Sequence, residues 1–177
     1  MGVIENRQDA EVDMKSVLKK YLEQYTRKRK RKEILQKRLH KFKEEMLGTK
    51  AVNYSLVPKS QTNNISNEPV DFYIHCEEIE ERINKERKAA ASAMIKIIDI
   101  LSFLPPDSQE KNILECKYLD DYSWPQIVEE LAMSKSRCID YWNAGLDELL
   151  EFKKVQSILD EYRIAEEVIV NIKGKMD

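Results

Sequence analysis

Apolar residues recur along this chain at alternating spacings of four and three. The first run is Met14, Leu18, Tyr21, Tyr25, Lys28, Lys32, Leu35, Leu39, Phe42 and Met46. Eight of these ten are apolar, which makes a heptad seam and predicts one long helix from about Asp9 to Leu47. Lys28 and Lys32 interrupt it. At that level the helix either bends away from an apolar partner or brings its lysines to acids or phosphates. Gly48 is the expected C-cap.

Between Thr49 and Pro69 the periodicity fails, and Ser, Asn, Thr and Pro dominate. A connector of about 20 residues is expected there, longer than an ordinary loop. A second seam then runs through Cys76, Ile79, Ile83, Glu86, Ala90, Ala93, Ile97, Ile100 and Leu104, with Met94, Ile98 and Leu101 widening it. It predicts a helix from about Asp71 to Phe103. Two heptad helices joined by a linker form an antiparallel hairpin or a coiled coil with a second copy. Core packing explains both seams without a metal or a catalytic pair.

Pro105-Pro106 stops the second helix, because proline lacks an N–H and restricts its predecessor. Asp107 to Glu110 reads as a new start, with Asp107 as N-cap and Glu110 closing a capping box. It carries Ile113, Leu114, Lys117 and Tyr118 and is expected to end near Asp120-Asp121. Ser123 opens a helix with Pro125 in its first turn and Ile127, Val128 and Leu131 on one face. Ser134 caps another, carrying Cys138, Tyr141, Trp142, Leu146, Leu149 and Leu150. A final stripe of Val155, Ile158, Leu159 and Tyr162 continues helically.

The expected fold is therefore all-α: a long N-terminal helical hairpin or coiled coil, then a three-helix helix-turn-helix unit. The divisions are a long basic helix over 1–48, a linker over 49–70, a second long helix over 71–104, the helix-turn-helix over 105–152, and a C-terminal helix and tail over 153–177. In a helix-turn-helix one helix braces the DNA backbone while the next offers its N-terminal turn to the major groove. Here Trp124–Leu131 is the bracing helix and Lys135–Leu150 the recognition helix. Lys135, Ser136, Arg137 and Asp140 lie on its free face, and Arg and Lys donate to guanine O6 and N7.

Charge sharpens this picture. The chain's formal net charge is only −2. Residues 15–43, however, hold 13 basic residues against Glu23 and Glu33. Arg27, Lys28, Arg29, Lys30, Arg31 and Lys32 are consecutive. Such asymmetry points to nucleic acid or an acidic partner. Asp107–Leu150, by contrast, carries ten acids against Lys111, Lys117, Lys135 and Arg137. For that unit to bind DNA, Lys135 and Arg137 must face the duplex, with Lys153, Lys154 and the basic block supplying attraction. Otherwise it is a protein-binding or dimerisation module.

Other chemistry is poorly represented. Three cysteines, Cys76, Cys116 and Cys138, are too far apart for a CxxC pair, and their sparse, odd count fits a reducing cytoplasm. His40 and His75 share no metal-ligand spacing, so no metal and no cofactor is expected. Four glycines provide no phosphate loop. Neither a nucleophile elbow nor an HExxH is present, and no enzyme is expected. The N-terminus lacks a secretory signal pattern, Asn6 spoils a myristoylation motif at Gly2, and no apolar run reaches membrane length. The expected localisation is cytoplasmic.

The stretch Leu104-Pro105, Ile113 through Asp120, and Ser123-Trp124-Pro125-Gln126-Ile127-Val128-Glu129-Glu130-Leu131-Ala132-Met133-Ser134-Lys135-Ser136-Arg137 resembles region 4 of bacterial sigma factors. The combination with a long charged helical part ahead of it is similar to small phage and prophage regulators of the ArpU/RinA type. The resemblance covers Leu104–Leu150 and only the outline of residues 14–103. It implies a sequence-specific DNA-binding regulator of phage late genes, with double-stranded DNA, RNA polymerase and a second copy of the chain as partners. It places Ser134 at the recognition-helix cap, Lys135, Ser136, Arg137 and Asp140 toward DNA, and Ile127, Leu131, Cys138 and Leu146 in the core. Two positions depart from the pattern. Asp140 would repel phosphate unless it accepts from a cytosine amine. Gly145 stands where the family has Ala and is expected to weaken the helix by about 1 kcal/mol. The alternatives are a packaging subunit of small-terminase type and a polymerase-binding adaptor that does not read DNA.

Overall fold

The computed structural model describes residues 14–51 and 68–173. Among them every regular element is helical: α1 over residues 14–22, α2 Gln24–Ala51, α3 Glu68–Leu101, α4 Gln109–Tyr118, α5 Trp124–Glu130, α6 Lys135–Glu151 and α7 Lys153–Lys173. The protein is all-α. None of these helices is long and apolar enough to cross a membrane. The expected connector lies largely outside the described residues, as do the expected helical residues 9–13.

Two compact units divide the chain: Arg27–Ala90, and the residues up to Thr26 together with those from Ala91 onward. The first is the hairpin. Along α2 the heptad positions Lys28, Lys32, Leu35, Leu39, Phe42 and Met46 are all half-buried, with Arg29 and Lys43 beside them. Along α3 the seam positions Ile79, Ile83 and Glu86 are half-buried, as are Phe72 and Ala89, and Cys76 and Ala90 are buried. Phe42 stacks on Phe72 at 5.3 Å. Arg31 reaches Glu86 at 3.1 Å and Lys43 reaches Glu80 at 2.7 Å. The two seams thus face each other within one chain in this unit. The lysine interruption is absorbed because a lysine can bury its methylene stem while its ammonium stays in water.

Gly48 is not a cap: α2 runs through it to Ala51. An interior glycine costs only about 1 kcal/mol, and no proline follows to stop the helix. At the other end α3 opens at Glu68, before the expected Asp71, since Pro69 fits a first helical turn.

The second unit holds two cores, the larger of which joins both ends of the chain. Val17, Leu18, Tyr21 and Leu22 of α1 pack with Ile97, Ile100 and Leu101 at the end of α3 and with Leu104 just beyond it. Leu114 and Tyr118 of α4, Leu146, Leu149 and Leu150 of α6, and Val155 and Leu159 of α7 complete it. The first turns of the N-terminal seam are therefore spent on the C-terminal helices. Tyr21 meets Tyr162 edge-on at 5.2 Å, Lys19 sits 4.5 Å from the Trp142 ring centre, and Lys15 pairs with Asp147 at 2.6 Å. Glu23 marks a bend between α1 and α2, where its N–H still donates to the Lys19 carbonyl at 3.0 Å. Ile98 does not widen the buried stripe; it is 44% exposed, about 100° round the helix from Ile97.

Candidate nucleic-acid interface

The site is assembled by α4, α5 and α6. Ser108, not Asp107, caps α4: its Oγ accepts from the Lys111 N–H at 3.2 Å. Ser108 holds the extended backbone an N-cap needs (φ −77°, ψ 147°). The α4–α5 turn passes through Asp121 at φ 58°, a left-handed conformation that Asp tolerates better than most residues. Lys117 spans this turn, donating to the Tyr122 carbonyl at 3.3 Å with its ammonium 5.2 Å from the Trp124 ring centre. At the start of α5 the Ser123 N–H donates to the Gln126 side-chain oxygen at 2.9 Å.

The α5–α6 turn is short, and Ala132 takes φ 49° within it. Ser134 then caps α6, accepting from the Arg137 N–H at 3.3 Å. Beneath the turn Ile113, Ile127 and Cys138 form a closed core, with Val128, Leu131 and Trp142 against it. Trp124 and Trp142 meet edge-on at 5.7 Å. One fully buried residue from each helix fixes α5 against α6, which is the rigidity a recognition helix needs.

Gly145 has a role the sequence did not show. A Cβ on it would lie 2.9 Å from Leu114 Cδ1 and 3.0 Å from Glu110 Cβ. The glycine marks the close approach of α4 to α6, so the expected weakening of α6 has a packing reason.

Lys135, Ser136, Arg137 and Asp140 are all exposed at the start of α6. At about 100° per residue, Ser136 and Asp140 point away from Cys138 and Arg137 flanks them. Lys153 and Lys154 are exposed too, but they begin α7 beyond the far end of α6. From Arg137 to Glu151, the last residue of α6, the helix rises roughly 21 Å. Lys154 lines a cleft of about 650 Å³, with its ammonium 5.8 Å from the Phe103 ring centre.

The Arg27–Lys32 block belongs to the hairpin and is split by helical geometry. Lys28, Arg29 and Lys32 are half-buried, whereas Arg27, Lys30 and Arg31 are exposed.

Burial, then the carboxylates of Asp120, Glu130 and Glu115, push the Cys116 thiol up, so it stays protonated at neutral pH. That is the reverse of what a nucleophilic cysteine requires. Burial also lifts the Tyr118 phenol, to about 12, partly offset by the Trp142 indole beside it. His40 and His75 sit near Glu44 and Glu78 on their own helices, at 3.3 and 3.7 Å. Among the described residues no three His, Cys, Asp or Glu side chains converge as a metal site would need. No family model, curated protein or solved structure matches this chain.

Proposed function

We propose that the protein is a sequence-specific DNA-binding transcriptional regulator, with α5 as the bracing helix and α6 as the reader. The observation that carries this is the exposed first turn of α6. Lys135, Ser136 and Arg137 stand out from a helix locked in place by Ile113, Ile127 and Cys138. The first turn of such a helix is the part that enters a major groove, and Arg137 is the side chain with two donors for one guanine. The resemblance to sigma region 4 and to ArpU/RinA-type regulators supports control of phage late genes in the cytoplasm, with RNA polymerase as a second partner.

The acidic balance of Asp107–Leu150 favours a second reading, a polymerase-binding adaptor that does not read DNA. Lys15 neutralises one of those acids, Asp147, on α6. A binding selection on randomised duplexes decides between the two. The wild type is expected to enrich a motif, and Arg137→Ala to lose discrimination at one base position, worth about 1–3 kcal/mol, with little change in non-specific binding. Equal enrichment by both proteins removes Arg137 as the reader. Enrichment by neither transfers the reading to the adaptor.

A further inference from the structure

The outward side of α2 carries a basic stripe that continues well past the consecutive block. At about 100° per residue, Arg27, Lys30, Arg31, Ile34, Lys37, Arg38 and Lys41 fall within one third of the helix circumference. All seven are exposed, whereas Lys28 and Lys32 lie on the opposite, seam-facing sector. Six of the seven are cationic. The stripe closes at Lys41, whose ammonium meets Glu45 at 3.7 Å. Arg31 extends to Glu86 at 3.1 Å while its own side chain stays 74% exposed. The acids Glu33 and Glu44 occupy the neighbouring sector, paired with Arg29 at 3.6 Å and with His40 at 3.3 Å. Cations are thus sorted onto one outer face of the helix, with no acid between Arg27 and Lys41 on that face.

We infer that this stripe is a binding surface for the phosphate backbone of duplex DNA, with Lys37, Arg38 and Lys41 as contributors beyond the consecutive block. From Arg27 to Lys41 the helix rises roughly 21 Å. Duplex DNA presents one phosphate per roughly 1.7 Å of axis, so about a dozen charges pass along that length. A helix with a cation on nearly every turn presents positive charge along the same length. The single apolar residue on the face, Ile34 at 49% exposure, leaves too little apolar surface to bury in a bilayer. The surface contacts phosphates and carries no base readout, so it supplies sequence-independent affinity. The inference shares with the proposed function only the premise that the chain binds DNA.

The test uses the full chain and a fluorescent duplex of random sequence, titrated from 50 to 200 mM salt. Three variants are compared with the wild type: Lys37→Gln with Arg38→Gln and Lys41→Gln; Lys28→Gln with Lys32→Gln; and Arg137→Ala. Each phosphate contact contributes about 0.9 to the slope of log affinity against log salt. The outward triple variant is expected to flatten the slope by up to about 2.7 and to weaken binding at 0.1 M salt on the order of 100-fold. The seam-facing pair and Arg137→Ala should leave the slope within about one unit of the wild type. Unchanged helicity by circular dichroism shows that the triple variant is folded. A triple variant that binds with the wild-type slope, while the wild type selects a motif at which Arg137→Ala loses discrimination, overturns the stripe and leaves the reader helix standing. A triple variant that loses binding, with no motif selected by the wild type, supports the stripe and overturns the reader. A wild type that ignores duplex DNA but binds phosphatidylserine vesicles overturns both.

Discussion

Replacing Gly145 with alanine sets two effects of known size against each other. Helix propensity favours the change by about 1 kcal/mol, since alanine restricts the unfolded chain and glycine does not. Packing opposes it. The new methyl would sit 2.9 Å from Leu114 Cδ1 and 3.0 Å from Glu110 Cβ, against an ordinary carbon contact of about 3.5–4.0 Å. Leu114 is fully buried, so its methyl has nowhere to turn, and Glu110 Cβ is fixed to the α4 backbone. Helices α4 and α6 must separate, and overpacking of this kind costs roughly 1–3 kcal/mol. The net expectation for Gly145→Ala is a loss of about 1 kcal/mol, or a fall of about 2–4 °C in Tm. Both tryptophans of the chain, Trp124 and Trp142, lie at this three-helix unit, so urea unfolding followed by tryptophan fluorescence reads it directly. Ala144→Gly, at the exposed neighbouring position, is the control and should lose about 1 kcal/mol through propensity alone. A Gly145→Ala protein more stable than wild type by about 1 kcal/mol would refute the close approach of α4 to α6.

Ala132 is left-handed in the α5–α6 turn, so Ala132→Gly should relieve strain and raise stability by up to about 1 kcal/mol net of glycine's entropy, measured by the same urea transition. Tyr118 holds its proton more tightly folded than unfolded, its phenol being pushed up to about 12 from 10.0. Its contribution is therefore fully present below pH 10 and is lost as pH rises toward 12, because the unfolded chain ionises first. Tyr118→Phe should flatten that alkaline loss in a pH series of unfolding midpoints, and an alkaline limb as steep as wild type would assign it to other groups.

Local chemistry was legible in the chain itself. Heptad spacing fixed which faces of α2 and α3 are buried, because a helix converts spacing into angle whatever it packs against. The Ser123 and Ser134 starts and the Pro105-Pro106 stop are likewise local, depending on side chains within a turn of the backbone they cap or break. The exposure of Ser136, Arg137 and Asp140 followed from the same arithmetic, applied to a helix whose apolar face was already assigned, whereas Lys135 shares the angular sector of Cys138 and Leu146 and is exposed as the first residue of α6. Choice of partner was not legible. The seam through Met14, Leu18 and Tyr21 has the same spacing as the rest of the N-terminal run, yet these residues pack with α6 and α7 while Leu35, Leu39 and Phe42 line the hairpin. Spacing specifies a face, but only tertiary contact specifies what covers it. Ser108 displaced Asp107 as the α4 cap because two adjacent side chains could both accept a backbone N–H, and the extended backbone at Ser108 chose between them. Gly145 looked like a weak point in α6 because propensity is a property of one helix. Its value appears only where α4 comes within 3.0 Å of the missing methyl, a distance set by the packing of the whole unit.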